Sequence, residues 1–110
     1  MPRADTLEKI RDHFIREKVY YSRHAKSEMQ LEEFGEILDH EVAEAVASGR
    51  IIEDYPEDNP YPSCLIFGTT DAGRPIHVVC AYSGEEDLTV IVTVYHPDPQ
   101  RWIGYERRLP

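Results

Sequence analysis

Long apolar runs are missing from this 110-residue sequence. None approaches the roughly 20 residues that span a bilayer, and the first residues are charged rather than apolar, so neither a membrane span nor a signal peptide is expected. Cysteine is scarce. Cys64 and Cys80 alone cannot make a disulfide framework, so reduced core thiols and a cytoplasmic setting are expected. CxxC and HExxH spacings are absent. The five histidines, His13, His24, His40, His77 and His96, are scattered without ligand spacing, so no metal or other cofactor is expected. Positive charge is in deficit: 12 Lys and Arg against 21 Asp and Glu give a net charge of −9, which opposes a broad nucleic-acid footprint. Repeats, low-complexity tracts and linkers are lacking too, and a chain of this length reads as a single domain over 1–110.

What is present centres on residues 74–95. Two β-branched apolar runs flank a polar SGEED turn, the pattern of a β-hairpin. Pairing Tyr82 with Leu88 sets Val78 opposite Val92 and His77 opposite Thr93. Alternation then sorts the side chains onto two faces. Ile76, Val78, Cys80, Tyr82, Leu88, Val90, Val92 and Val94 make a core face. His77, Val79, Ala81, Thr89, Ile91, Thr93 and Tyr95 make the other, with an imidazole, a hydroxyl and a phenol at one end. This second face is either a solvated sheet surface or the seat of an acid–base cluster.

Upstream, residues 5–18 carry Leu7, Ile10 and Phe14 at helical spacing behind a cap at Asp5 or Thr6. Residues 19–21 form an extended link. Ser22 opens a second helix whose buried side is formed by Ala25, Met29 and Phe34, and Gly35 stops it. In its first turn lies His24, either a neutral base or a hydrogen-bond partner of a nearby loop. A third helix follows an N-cap at Asp39, with Leu38, Val42, Ala45 and Val46 inward, Glu41 and Glu44 outward and Gly49 at its end. Strands are predicted over 51–55 and 63–69, and a last turn over 100–105 docks Trp102. Charge is uneven. Residues 1–26 hold seven Lys or Arg against four acids, whereas residues 27–49 hold seven acids and no Lys or Arg. The acidic stretch offers itself to a basic partner or merely solvates a helix. The order of elements predicts an α+β domain: three N-terminal helices on one face of a four-stranded, mainly antiparallel sheet. The His77 face is left uncovered or partly covered.

The run SRHA at 22–25, the helix EVAEAVASG at 41–49 with IIEDYP after it, GRPIHVVCAY at 73–82 and TVYHPDPQRW at 93–102 resemble the domain-of-unknown-function family numbered 4258. The likeness spans roughly residues 20–103, leaving 1–18 as an extra N-terminal helix. That family resembles the bacterial RelE/ParE and BrnT toxin group, whose helices precede an antiparallel sheet. The resemblance implies metal-independent RNA cleavage by a toxin or its inactive descendant, with RNA or the ribosome as target and a small antitoxin as partner. Such chemistry needs a base, an acid and a phosphate-binding cation. His24 from SRHA, Arg74 and His77 from GRPIH, and Tyr95 from TVY are the positions it designates. Where the family usually carries a basic residue and an Arg-Gly pair, this sequence has SEMQLEEFGEI. The acidity supports the alternative of a non-catalytic binding module, using its acidic helix surface or its open sheet face for a basic protein or a small ligand.

Overall fold

A computed structural model describes residues 5–110; residues 1–4, part of the expected N-terminal helix, lie outside the described residues. Helix α1 (Thr6–Ile15) is followed by a short strand β1 (Val19–Tyr21), then α2 (Arg23–Leu31) and α3 (Asp39–Ser48). The chain continues as a meander, β2 (Arg50–Tyr55), β3 (Ser63–Thr69), β4 (Pro75–Ser83) and β5 (Leu88–Tyr95). It ends in a small hairpin of β6 (Trp102–Ile103) and β7 (Arg107–Arg108).

The expected four-stranded sheet is corrected on two counts. The sheet has five strands in the order β1-β5-β4-β3-β2, and it is mixed, because β1 pairs in parallel with β5. The terminal hairpin forms a second, two-stranded sheet. The class is α+β. The 19–21 link is a strand because Val19, Tyr20 and Tyr21 pair with Thr89, Val90 and Ile91.

The register of the central hairpin also differs from the simple pairing. Ser83 faces Leu88 and Tyr82 faces Thr89, one step from the expected match. A bulge at Val92 then adds a second step, so Val78 faces Val94 and His77 faces Tyr95. On β5, between the turn and the bulge, the side chains of residues 88–91 therefore lie on the face opposite to that expected, whereas Cys80 and Tyr82 of β4 keep theirs. Thr89 and Ile91 are fully buried on the helix side, where Leu88 and Val90 had been expected. Beyond the bulge, Val94 inward and Thr93 and Tyr95 outward agree with the sequence reading.

The core lies between the helices and one face of the sheet. Ile10 of α1, Ala25 and Met29 of α2, and Val42, Ala45 and Val46 of α3 meet Cys64, Ile66, Ile76, Val78, Cys80, Ile91 and Val94. Cys64 sits directly opposite Cys80 across β3 and β4; both are buried thiols, and burial pushes the Cys80 thiol up. Two glycines let α3 press onto β3. At Gly68 an added Cβ would overlap the Ala45 backbone, and at Gly49 it would lie 2.6 Å from the Phe67 carbonyl oxygen. Ser48 ties the two elements, donating to Thr69 O at 2.8 Å and accepting from Thr69 N at 3.1 Å.

The helix ends follow local chemistry, with several differences from expectation: α2 ends at Leu31, short of Gly35, and Leu38, expected inward, is exposed. Ser22 caps α2 through Ala25 N at 3.0 Å. Leu38, not Asp39, is the N-cap residue of α3; the Glu41 carboxylate accepts its N–H at 3.0 Å, while Asp39 pairs with Lys26. Asp5 precedes α1 without a side-chain cap. Instead α1 is held by its flanks: Arg11 donates to Val46 O at 3.0 Å and Gly49 O at 2.7 Å.

Beyond β1, the outer edge of β5 is closed by α2. Ser22 Oγ donates to Val92 O at 3.1 Å, the Glu28 carboxylate accepts from Val94 N at 3.1 Å, and Glu32 accepts from His96 N at 3.2 Å. Three side chains of one helical segment thus occupy the backbone groups that a sixth strand would use. Two of the acids that displace the basic family pattern are structural acceptors.

Candidate functional site

His77 stands on the sheet face away from the helices, in a row Arg50, Phe67, His77, Tyr95 that crosses four strands. That face is not open. The terminal hairpin folds over it and leaves His77 without solvent exposure. The Trp102 ring meets the imidazole edge-to-face at 4.5 Å between centroids, and Phe67 and Tyr95 flank it at 5.7 and 5.2 Å. His77 Nε2 lies 2.6 Å from Tyr105 O, and Nδ1 lies 3.1 Å from the Tyr95 hydroxyl. A carbonyl only accepts, so Nε2 carries the proton and Tyr95 donates to Nδ1. Desolvation lowers the imidazole pKa to about 4 and raises that of the Tyr95 phenol, keeping both groups neutral.

Ion pairs pin the cover. Arg108 donates to Glu53 at 2.8 and 3.1 Å and lies over the Trp102 ring, 4.7 Å from its centroid. Arg50 pairs with Glu106, and Tyr55 donates to Glu53. Burial pushes the Glu53 carboxyl up, but the bonds from Arg108 and Tyr55 outweigh it and hold it below its ordinary value. Burial and Glu53 together push the Tyr55 phenol up to about 12.

The other designated residues lie elsewhere. Arg74 is spent on structure: its guanidinium donates to the carbonyls of Glu36 and Gly35, touches His96 Nδ1 at 3.5 Å and lies 3.6 Å from Glu41. His24 is exposed on α2, 3.4 Å from Glu28. Among the described residues no hydrogen bond, ion pair or ring contact joins it to His77 or Tyr95. Only His77 and Tyr95 of the four are brought together. Glu41 and Glu44, expected to be open to a partner, are engaged: Glu41 caps α3, and Glu44 binds Asp71 N at 2.9 Å and His40 at 3.0 Å.

Two groupings escaped the sequence. A cleft of about 650 Å³ opens beside Tyr95, lined by His96, Arg101, Trp102 and Arg108 among others. The second is a hydroxyl–imidazole–carboxylate line. Thr89 Oγ1 lies 2.8 Å from His13 Nδ1, and His13 Nε2 lies 3.0 Å from Asp87, whose carboxylate Arg16 also grips at 2.7 Å. Arg16 first, then His13, hold the Asp87 carboxyl well below the usual range. Thr89 is fully buried and His13 nearly so, so this line docks α1 onto the β4–β5 turn and presents no reachable nucleophile. Correct alternation around Thr89 was the signal that would have found it. The histidines lie in separate places, and no three His, Cys, Asp or Glu side chains among the described residues group as a metal site.

A family model described as a domain of unknown function (DUF4258) matches residues 21–96. The chain belongs to the DUF4258 family. No curated protein and no solved structure matches it. The DUF4258 match takes in α2 through β5; α1 and the hairpin that covers His77 fall outside it. No described helix is long and apolar enough to cross a membrane.

The buried imidazole of this DUF4258 chain gives stability a definite pH dependence. In the unfolded chain His77 binds a proton near its ordinary value of 6.5, whereas the folded protein holds it neutral down to about 4. Between those values the unfolded state binds the extra proton, so stability falls as pH falls. The full loss is on the order of 3 kcal/mol, at about 1.4 kcal/mol per pKa unit. Urea unfolding at pH 7 and pH 5 should show about 2 kcal/mol of it, and His77→Gln should flatten the difference.

Proposed function

We propose that this DUF4258 chain is a non-catalytic binding module, an inactive descendant of the RelE/ParE/BrnT toxin-like group, that holds a protein partner on its acidic helical side. The observation that carries the reading is the commitment of His77: both ring nitrogens are bonded and the ring is shut from solvent. Metal-independent RNA cleavage needs a base, an acid and a cation converging on one phosphate. Here the base candidate is enclosed, Arg74 binds backbone carbonyls, and His24 lies on a separate helix surface. The net charge of −9 repels a phosphate backbone. A small antitoxin or another basic protein fits this surface better than RNA or the ribosome does.

Purified protein incubated with total RNA, and with translating ribosomes, should give background cleavage. The His77→Ala protein should match it. Cleavage by the parent chain that His77→Ala loses would overturn the reading and restore the toxin activity.

A further inference from the structure

The end of α2 and the turn beyond it leave large apolar side chains in water. Leu31 is 79% exposed, and Phe34, expected on the buried side of the second helix, lies beyond its end and is 55% exposed. Phe34 is propped from beneath by His96, ring centroids 4.6 Å apart, so it projects from a fixed support. A shallow concavity of about 430 Å³ beside Leu31 is lined by His24, Ser27, Glu28, Glu32 and Glu33. Positions 24, 28 and 31 follow the helical repeat, so the concavity runs along α2.

Charge decides what fits there. Residues 27–41 carry six acids and no Lys or Arg. Four of them are engaged: Glu28 and Glu32 on the β5 edge, Asp39 with Lys26 and Glu41 at the α3 cap. Glu33 and Glu36 are exposed, and among the described residues neither carboxylate has an ion-pair or hydrogen-bond partner, although the Glu36 backbone carbonyl accepts from Arg74. Their carboxylates flank Leu31 and Phe34 with negative charge that no ion pair among the described residues neutralises, while the nearby Arg74 guanidinium is held on the Gly35 and Glu36 carbonyls. A second copy of the chain seated symmetrically would bring like charges together. Nucleic acid and anionic lipid would be repelled for the same reason.

Backbone chemistry narrows the occupant further. The neighbouring β5 edge is already satisfied by Ser22, Glu28 and Glu32, so an added strand finds no free ladder. Recognition has to run through side chains along a helical stripe. We infer that this end of α2 docks a basic amphipathic helix of another protein, which lays its apolar side on Leu31 and Phe34 and sets its cations against Glu33 and Glu36. The inference rests on the binding reading above and names the partner class for it.

The test uses the full chain and a synthetic helical Lys/Leu peptide of about 18 residues, enough for five turns. Controls are a Glu/Leu peptide with the same apolar stripe and a Lys/Leu peptide scrambled to destroy the stripe. Calorimetry should show the first peptide binding with a Kd on the order of 10 μM and neither control binding. Leu31→Ala, and separately the pair Glu33→Lys and Glu36→Lys, should each weaken binding by about tenfold. Glu57→Lys, an exposed acid in the β2–β3 loop, should leave it unchanged. Absence of binding, equal binding of the scrambled peptide, or indifference to Leu31→Ala would overturn the assignment. Such a failure beside silent RNA assays removes this surface alone, whereas RNA cleavage removes the non-catalytic reading itself.

Discussion

Gly68→Ala is expected to abolish cooperative folding. Gly68 lies in β3 beneath α3, and a Cβ there would overlap the Ala45 carbonyl oxygen and sit 2.6 Å from its carbon and 2.9 Å from its Cα. These are backbone atoms in the middle of a helix, so no rotamer change relieves the clash. Either α3 lifts from the sheet or β3 bends, and both open the cluster around Ala45, Val46 and Ile66. A loss of roughly 4 kcal/mol or more follows, a large share of what a domain this size has. Thermal unfolding should shift down by about 15–30 °C, or soluble protein should be lost. Gly73→Ala is the matched control. Gly73 has φ +89° with open space around it, so only the left-handed backbone is strained and the cost is about 1 kcal/mol. A Gly68→Ala protein melting within a few degrees of the parent would mean that the close seating of α3 on β3 is wrong.

Trp102→Ala should be nearly as disruptive, with a second signature. The indole is 5% exposed, meets His77 edge-to-face and carries Arg108 on its face. Truncating a buried Trp costs about 3–5 kcal/mol. The loss here falls at the lower end, because the hairpin forms a separate two-stranded sheet at the chain's end. The sharper readout is His77. Its pKa of about 4 is set first by desolvation, so removing the cover should return the imidazole toward 6.5 in the protein that remains folded. Titration of the His77 ring protons by NMR measures this directly. An imidazole still titrating near 4 in folded Trp102→Ala protein would show that water is excluded by something other than the hairpin.

Much of the scaffold could be read from the residues because its signals are periodic and local. Ser22 announced α2, and the alternation of β4 located the core face. What escaped was non-local. Three residues cannot declare a parallel pairing with a strand about 70 positions away. The bulge at Val92 is a backbone event without a side-chain signature, and it inverted Thr89 and Ile91. At the site, His77 and Tyr95 were legible as neighbours on one face. Their enclosure was not, because it depends on where two-residue strands at 102–103 and 107–108 come to rest. Arg74 looked free because its partners are carbonyls, which leave no mark in a sequence.

The two carboxylates that close the β5 edge set a limit on how this chain could change. Reversing the charge at positions 28 and 32 is the shortest route to a surface that attracts a polyanion. The same two changes would strip the acceptors from Val94 and His96 and leave a sheet margin ready to recruit its neighbours. Attraction of a polyanion and resistance to fibrous self-association therefore compete for the same two positions, and a variant acquiring the first would have to close that margin by other means.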